Sequence, residues 1–142
     1  MAAKKSMTIA SEALENWLQQ VFEAHDLSSS DALTAAHAMV KANLRGVDSH
    51  GVARVAMYCE RLRKGVANPH PNIEVARVAA AAALVDGDDG LGLVVGHRAM
   101  AEAIAIAREC GIGLVGVKRS GHYGMAALYI LQAVEAGCVG LA

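Results

Sequence analysis

Hydrophobic residues near the start of the chain recur with helical spacing. Leu14, Trp17, Leu18, Val21 and Phe22 follow the i, i+3, i+4, i+7, i+8 pattern of a buried stripe, predicting an amphipathic helix over about Ser11–His25 with Trp17 and Phe22 in the core. Ser28, with Asp31 three residues on, reads as an N-cap opening a second helix whose inward positions are Leu33, Ala36, Val40 and Leu44. Val52, Val55, Ala56 and Leu62 resume the spacing after a break, and predict a third helix from about Gly51 to Lys64. Asn68-Pro69-His70-Pro71 follows as a stiff linker, because proline fixes its φ and has no N–H to donate.

From Ile73 the texture changes. Ile73, Val75 and Val78, then Ala82–Val85, alternate or cluster like short strands and stop at Asp86-Gly87-Asp88-Asp89-Gly90, which predicts a hairpin or two short strands. Leu91–Arg108 reads as a helix with Leu93, Met100, Ile104 and Ala107 inward and Gly111 as its C-cap. A buried strand over Ile112–Val117, a helix over Met125–Ala136 and the opening of a further strand at Cys138–Ala142 complete the pattern. The expected class is α/β with mixed elements: residues 1–68 as a helical N-terminal part, and residues 69–142 as the start of an α/β domain. Ending on Val139-Gly140-Leu141-Ala142, without a polar tail, suggests a truncated polypeptide whose last strand lacks the rest of its sheet.

Composition narrows the class. With 54% hydrophobic and 19% charged residues the chain can build a core, and its formal net charge of −1 provides no global field for nucleic acid or an anionic membrane. Arg45, Arg54, Arg61, Arg63 and Lys64 make only the central segment basic. Three cysteines without CxxC spacing indicate neither a disulfide framework nor a zinc knuckle, and the default compartment is reducing. Met1–Ala10 carries Lys4 and Lys5 but runs into Ser11, Glu12 and Glu15 instead of an apolar stretch, which argues against a signal peptide. The longest apolar run, Val78–Val85, is too short to span a bilayer, so a cytoplasmic protein is expected.

The densest chemistry lies in Arg45-Gly46-Val47-Asp48-Ser49-His50-Gly51-Val52-Ala53-Arg54. With helical spacing His50, Arg54 and Tyr58 share a face, setting a group that exchanges protons near neutral pH beside a fork that grips carboxylates at two points. A small carboxylic acid is the implied substrate. Ser49 is expected to orient or relay and not to attack, since adjacent side chains on a helix point apart. The same residues also suit a capped helix, Asp48 and Ser49 being good N-caps, with His50 and Arg54 on the surface; local pattern leaves both readings open. Lys118-Arg119-Ser120-Gly121-His122-Tyr123-Gly124 is a second constellation, between a strand and a helix, where α/β folds carry ligands. There Gly121 and Gly124 permit close approach, His122 can donate or polarise, and Tyr123 offers a ring to stack on a nucleotide; a turn with Ser120 as N-cap and a half-buried histidine is the plainer account, which local pattern favours.

Other patterns carry no such weight. Gly111-Ile-Gly113-Leu-Val-Gly116 spells a dinucleotide fingerprint but runs from a helix into a strand, the reverse of the required context. Asp86, Asp88 and Asp89 lack the spacing and closing Glu of a calcium loop. The six histidines include no HxH or HxxxH pair, and His25, His37 and His97 read as helix-surface or satisfied core residues.

Taken together, Ala42-Asn43-Leu44-Arg45-Gly46-Val47-Asp48-Ser49-His50-Gly51 with Arg54 and Tyr58, the Val85-Asp86-Gly87 and Gly90-Leu91-Gly92 turn, and Ser120-Gly121-His122-Tyr123-Gly124 resemble the malate/L-lactate dehydrogenase family, unrelated to the Rossmann-type enzymes of similar name. The resemblance runs from about Thr8 to Ala142, although members are more than twice as long as this chain. It implies a nucleotide-binding fold with a mixed, largely antiparallel sheet, NAD or NADP as cofactor, a small 2-hydroxy or 2-oxo acid as substrate, and a cytoplasmic homodimer. It implies His50 as acid/base, Ser49 in a relay to it, Arg54 on the substrate carboxylate and His122 as a second acid/base or cofactor-side group. Within that resemblance Ser120, Gly121, His122, Tyr123 and Gly124 form the loop that touches the nicotinamide nucleotide, with Gly121 and Tyr123 departing from the commoner Asn and Phe. An inactive fragment or oligomerising module of such an enzyme is the alternative function.

Overall fold

The computed structural model describes residues 8–142, so most of the Met1–Ala10 stretch read against a signal peptide lies outside the described residues. Helices α1 (Ser11–Glu23) and α2 (Ser29–Leu44) form an antiparallel-type hairpin of helices whose turn is closed by Ser28, which accepts the Asp31 N–H at 3.2 Å as its cap. Leu18 and Phe22 of α1 are fully buried, but Trp17 is 49% exposed. The expectation for Trp17 is therefore corrected: α1 packs chiefly on α2, so only a narrow stripe is covered and the indole falls at its margin. Leu33 and Leu44 are likewise exposed, whereas Ala36 and Val40 are buried as expected, together with Ala32, Ala35 and Met39. Small side chains let α2 contact α1, α4 and α5 together, so volume and not hydropathy selects its core face.

Two 3-10 turns, Asp48–His50 and Val52–Arg54, lead into α3 (Val55–Arg63), which begins later than its apolar pattern suggests. The Asn68–Asn72 stretch is anchored to the sheet: Asn68 Nδ2 and the Asn72 N–H both donate to Asp88 Oδ2 at 3.0 Å.

The sheet has three strands in the order β1-β2-β3, with β1 (Glu74–Ala79) antiparallel to β2 (Ala82–Gly90) and β2 parallel to β3 (Leu114–Ser120). β2 does not stop at Val85. It continues to Gly90 through an irregularity in which Asp88 and Asp89 adopt positive φ of 47° and 57°. Aspartate tolerates that region because its side chain bonds locally, here Asp86 Oδ1 accepting the Asp88 N–H at 3.1 Å. Arg119 and Lys118 pair with this acidic bend, and the Asp86 carboxyl is held below the usual range first by the Asp88 N–H and then by Lys118.

The helix α4 (Gly92–Cys110) crosses between β2 and β3, burying Val95 and Ala99 against Val85. Its C-cap is Gly111 in the left-handed region, as its position predicts. Strand β3 was expected to be buried, yet Leu114 is 69% exposed: β3 is an edge, and only its α4 side is partly covered. The last helix, α5 (Ala127–Glu135), packs on α4, and residues 138–142 pair with no strand, correcting the expected strand there. Among the described residues, no helix is long and apolar enough to cross a membrane.

The main core joins α1, α2, α3 and the start of α4, with Phe22, Met39, Tyr58 and Leu93 at its centre. Phe22, Met39 and Leu93 each contribute about 1.5–3 kcal/mol on burial. The glycines of the false fingerprint have a different use, for a Cβ on Gly113 would lie 2.0 Å from the Ala103 carbonyl oxygen of α4. Gly113→Ala must therefore push β3 off α4, whereas Gly111→Ala, in open space but at φ +81°, meets only left-handed strain. Urea denaturation is expected to show a loss of about 1–2 kcal/mol for Gly111→Ala and about 3 kcal/mol for Gly113→Ala. A smaller loss at 113 than at 111 would contradict the tight strand-to-helix contact.

Candidate active site

The site is built on the end of α2. Gly46, at φ +72°, closes the helix with a Schellman pair: its N–H bonds the Asn43 carbonyl at 2.9 Å and the Val47 N–H bonds the Ala42 carbonyl at 2.9 Å. The chain then turns through the two 3-10 segments, and one side chain holds them. Asn43 donates from Nδ2 to Asp48 Oδ1 and accepts the Val52 N–H on Oδ1 at 2.8 Å, so it ties the start of the loop to its end. Gly51 is pressed against that carboxamide, where a Cβ would lie 2.1 Å from Asn43 Oδ1.

This frame presents Ser49, His50 and Arg54. Ser49 Oγ is 3.0 Å from His50 Nδ1, so the two neighbours meet within the 3-10 turn Asp48–His50 although adjacent side chains were expected to point apart. The Arg54 Nε donates to the Ser49 carbonyl at 2.7 Å, which aims the guanidinium while leaving its two terminal nitrogens without a protein partner among the described residues. His122, from the loop after β3, stacks on His50 with ring centroids 5.6 Å apart and planes 19° from parallel. Tyr58, fully buried on α3, meets His122 Nδ1 with its hydroxyl at 2.8 Å.

Electrostatics follow from this clustering. Burial lowers the His122 pKa below its ordinary value, and the positive charge of His50, Arg54 and Arg61 lowers it further. Burial pushes the Tyr58 phenol up to about 12 despite Arg54 and Arg61, so it stays protonated through the neutral range. The loop reaches its place because two chains approach very closely: a Cβ on Gly92, the first residue of α4, would lie 2.3 Å from the Gly121 carbonyl oxygen. Gly124, at φ +77°, similarly fits against Leu93.

Residues 9–142 match the family model described as malate/L-lactate dehydrogenase. The chain belongs to this family. It is 41% identical over 133 residues to the malate dehydrogenase of Pyrococcus horikoshii, covering 94% of this chain and 37% of that protein. The solved structure of the Pyrococcus horikoshii enzyme superposes with a TM-score of 0.90 at 41% identity, over 92% of this chain and 38% of that one. The L-sulfolactate dehydrogenase of Methanocaldococcus jannaschii is 34% identical over 95% of this chain and 39% of its own length, and the Escherichia coli ureidoglycolate dehydrogenase (NAD(+)) is 33% identical over the same shares. The chain thus spans somewhat over a third of the length of these relatives, and its mixed fold is theirs.

For a member of the malate/L-lactate dehydrogenase family, the grouping of side chains is informative. His50, Ser49, Arg54 and His122 come together, and Ser120, Gly121 and Gly124 lie on the same loop as His122. Ser120 is the last residue of β3 and caps nothing, since α5 starts from Ala126. Tyr123 points its ring the other way, stacked on Tyr129 at 5.3 Å and lining an apolar groove of about 880 Å³ between α4, β3, α5 and the C-terminal residues. Two contributors escaped the sequence reading. Asn43 stands within the motif that carries the family resemblance but was assigned no role, its local signal being a polar side chain three residues before Gly46. Arg61 sits seven residues after Arg54 and one turn beyond Tyr58, a spacing that marks one helix face, and its Nη2 lies 3.9 Å from the Cβ position of Gly121. His37 and His97 are outside this cluster; His37 pairs with Glu15 at 3.0 Å on the helical surface.

The Asn43 clamp is testable by a double-mutant cycle. Gly51→Ala should destabilise by displacing the carboxamide, and the same change in an Asn43→Ala background should cost about 1–2 kcal/mol less, because the obstruction is gone. Thermal unfolding of the four proteins measures this coupling; strictly additive losses would mean that Gly51 does not depend on Asn43.

Proposed function

We propose that this chain is the N-terminal portion of a dehydrogenase that transfers a hydride between NAD or NADP and a small 2-hydroxy or 2-oxo acid. The observation that carries the reading is the stacked His50–His122 pair beside the terminal nitrogens of Arg54, which have no protein partner among the described residues, in a chain of this family. The relatives are named for malate, sulfolactate and ureidoglycolate, each a small 2-hydroxy acid, and one name specifies NAD(+).

The residues fit a nicotinamide nucleotide on one structural ground. The loop 120–124 separates two environments, sending His122 into the polar cluster and Tyr123, whose ring can stack on a planar base, into an apolar groove. The reactive end of such a nucleotide would be held at His122, with Gly121 and Gly124 permitting approach to the backbone and Ser120 and Tyr123 beside it. A bound nicotinamide supplies the hydride acceptor or donor. In oxidation, Arg54 grips the carboxylate of the 2-hydroxy acid with its paired nitrogens, and His50 takes the hydroxyl proton as the C2–H bond gives up its hydride and the C–O bond becomes a carbonyl. Reduction reverses each transfer. Ser49, bonded to His50 Nδ1, orients the imidazole and leaves Nε2 for the proton. A positioned acid/base of this kind contributes roughly 10² to 10⁴ in rate.

Titrating the chain with NADH and with NADPH, and following nucleotide fluorescence, tests the reading. Saturable binding is expected with at least one of them, weakened about tenfold by His122→Ala, the equivalent of one hydrogen bond. A folded chain with no saturable response to either nucleotide would overturn the proposal for this polypeptide.

A further inference from the structure

The side-chain network around His122 assigns a division of labour between the two histidines that goes beyond the proposed reaction while resting on that reading of the site. Each imidazole has its Nδ1 engaged by a hydroxyl, His50 by Ser49 at 3.0 Å and His122 by Tyr58 at 2.8 Å. Among the described residues neither Nε2 has a protein partner. The two hydroxyls are not equivalent. Ser49 is exposed and its hydroxyl can rotate to donate or accept, which lets the His50 ring gain and lose a proton without losing its partner. Tyr58 is 1% exposed, locked in the core among α2, α3 and the start of α4, and its phenol has no other hydrogen-bond partner among the described residues.

A buried phenol next to arginines could in principle ionise and accept from an imidazolium. Burial decides against it here. The phenol is pushed up to about 12, so it retains its proton and is a donor wherever His122 offers a lone pair. His122 does offer one, because burial and the charges of His50, Arg54 and Arg61 all oppose a second positive charge on its ring. The His50 ring, stacked with its centroid 5.6 Å away, adds to the arginine charges that oppose a proton on His122.

We propose that Tyr58 is a positioning residue that donates to His122 Nδ1, fixing His122 as the neutral tautomer with its proton on Nε2, so that His122 serves as an uncharged hydrogen-bond donor toward a bound oxygen and His50 alone exchanges the substrate proton. The groups that face His122 are Tyr58, Arg54 and Arg61 from the α3 side and His50 from the loop before it. None of them is an acid that would draw a proton onto the ring. The arrangement also supplies a sign for pH dependence. A histidine whose folded pKa lies below its unfolded value contributes stability that is full above the unfolded pKa, near 6.5, and is lost as pH falls through the folded value.

The test reads nitrogen chemistry directly and needs no nucleotide. Imidazole nitrogens of the 15N-labelled chain are followed by long-range proton–nitrogen correlation across pH 5–8, with His122→Ala used to assign the His122 signals. In the unmodified chain His122 Nδ1 is expected to resonate as an unprotonated nitrogen and Nε2 as a protonated one. In Tyr58→Phe, which keeps the buried ring, the two tautomers should mix and the His122 midpoint should rise by roughly half to one pH unit, the equivalent of one neutral hydrogen bond. Ser49→Ala should disturb the His50 nitrogens and leave the His122 tautomer alone. A protonated Nδ1 on His122 in the unmodified chain, or a Tyr58→Phe spectrum with the same His122 tautomer and midpoint, would overturn the assignment. The unmodified spectrum decides the tautomer even where the variant folds poorly. Because the nucleotide titration is a separate measurement, failure of binding with this tautomer intact would count against the dehydrogenase reading and not against the role of Tyr58.

Discussion

One carboxamide holds the site together. Asn43 is the last residue of α2 that can see both ends of the following loop, and its two hydrogen bonds to Asp48 and to the Val52 N–H convert a ten-residue excursion into two tight 3-10 turns. Everything displayed by those turns inherits its position from this clamp. Within the first of these turns Ser49 reaches His50, its Oγ lying 3.0 Å from Nδ1. Gly51 completes the arrangement by leaving the space that the carboxamide fills.

The opposing wall is made by a different constraint, the close approach of backbone to backbone. Gly92 at the start of α4 lets the Gly121–His122 main chain lie directly on the helix, and Gly113 lets β3 settle on α4. These contacts set how far the loop after β3 extends, and therefore where His122 meets His50 and Tyr58. Three segments separated by up to about seventy residues thus converge: the turn after α2, the first turns of α3, and the loop before α5. The site sits where the helical core ends and the sheet begins, with Tyr58 and Leu93 both part of the core that supports it.

Charge gives this convergence its chemical character. Arg54 and Arg61 bring positive charge without carboxylate partners among the described residues, whereas the nearby basic pair Lys118 and Arg119 is consumed by Asp86, Asp88 and Asp89. An uncompensated guanidinium next to stacked imidazoles favours an anionic ligand and disfavours protonation of His122. Arginine is suited to this because its planar fork matches a carboxylate while its charge persists at any physiological pH.

Much of the local structure was legible in the residues themselves. Ser28 before an alanine-rich run marked the start of α2, and Gly111 marked the end of α4, since a cap and a left-handed C-terminus are properties of a few consecutive residues. That polar and titratable groups concentrate in the 45–54 and 120–124 stretches was visible for the same reason: residue types at short spacing. What could not be read there was decided by tertiary packing. Trp17, Leu33 and Leu44 have the hydropathy of core residues and lie outside because their helices are covered on one narrow side. β3 has the apolar composition of a buried strand and lies at an edge. The contact between Tyr58 and His122 joins residues 64 positions apart, a pairing no local pattern encodes. Sequence alone determined which groups this protein can bring to bear and which short segments carry them; the tertiary structure decided which ring nitrogen faces which hydroxyl, because hydrogen-bond geometry and burial depend on atoms that only folding brings within a few ångströms.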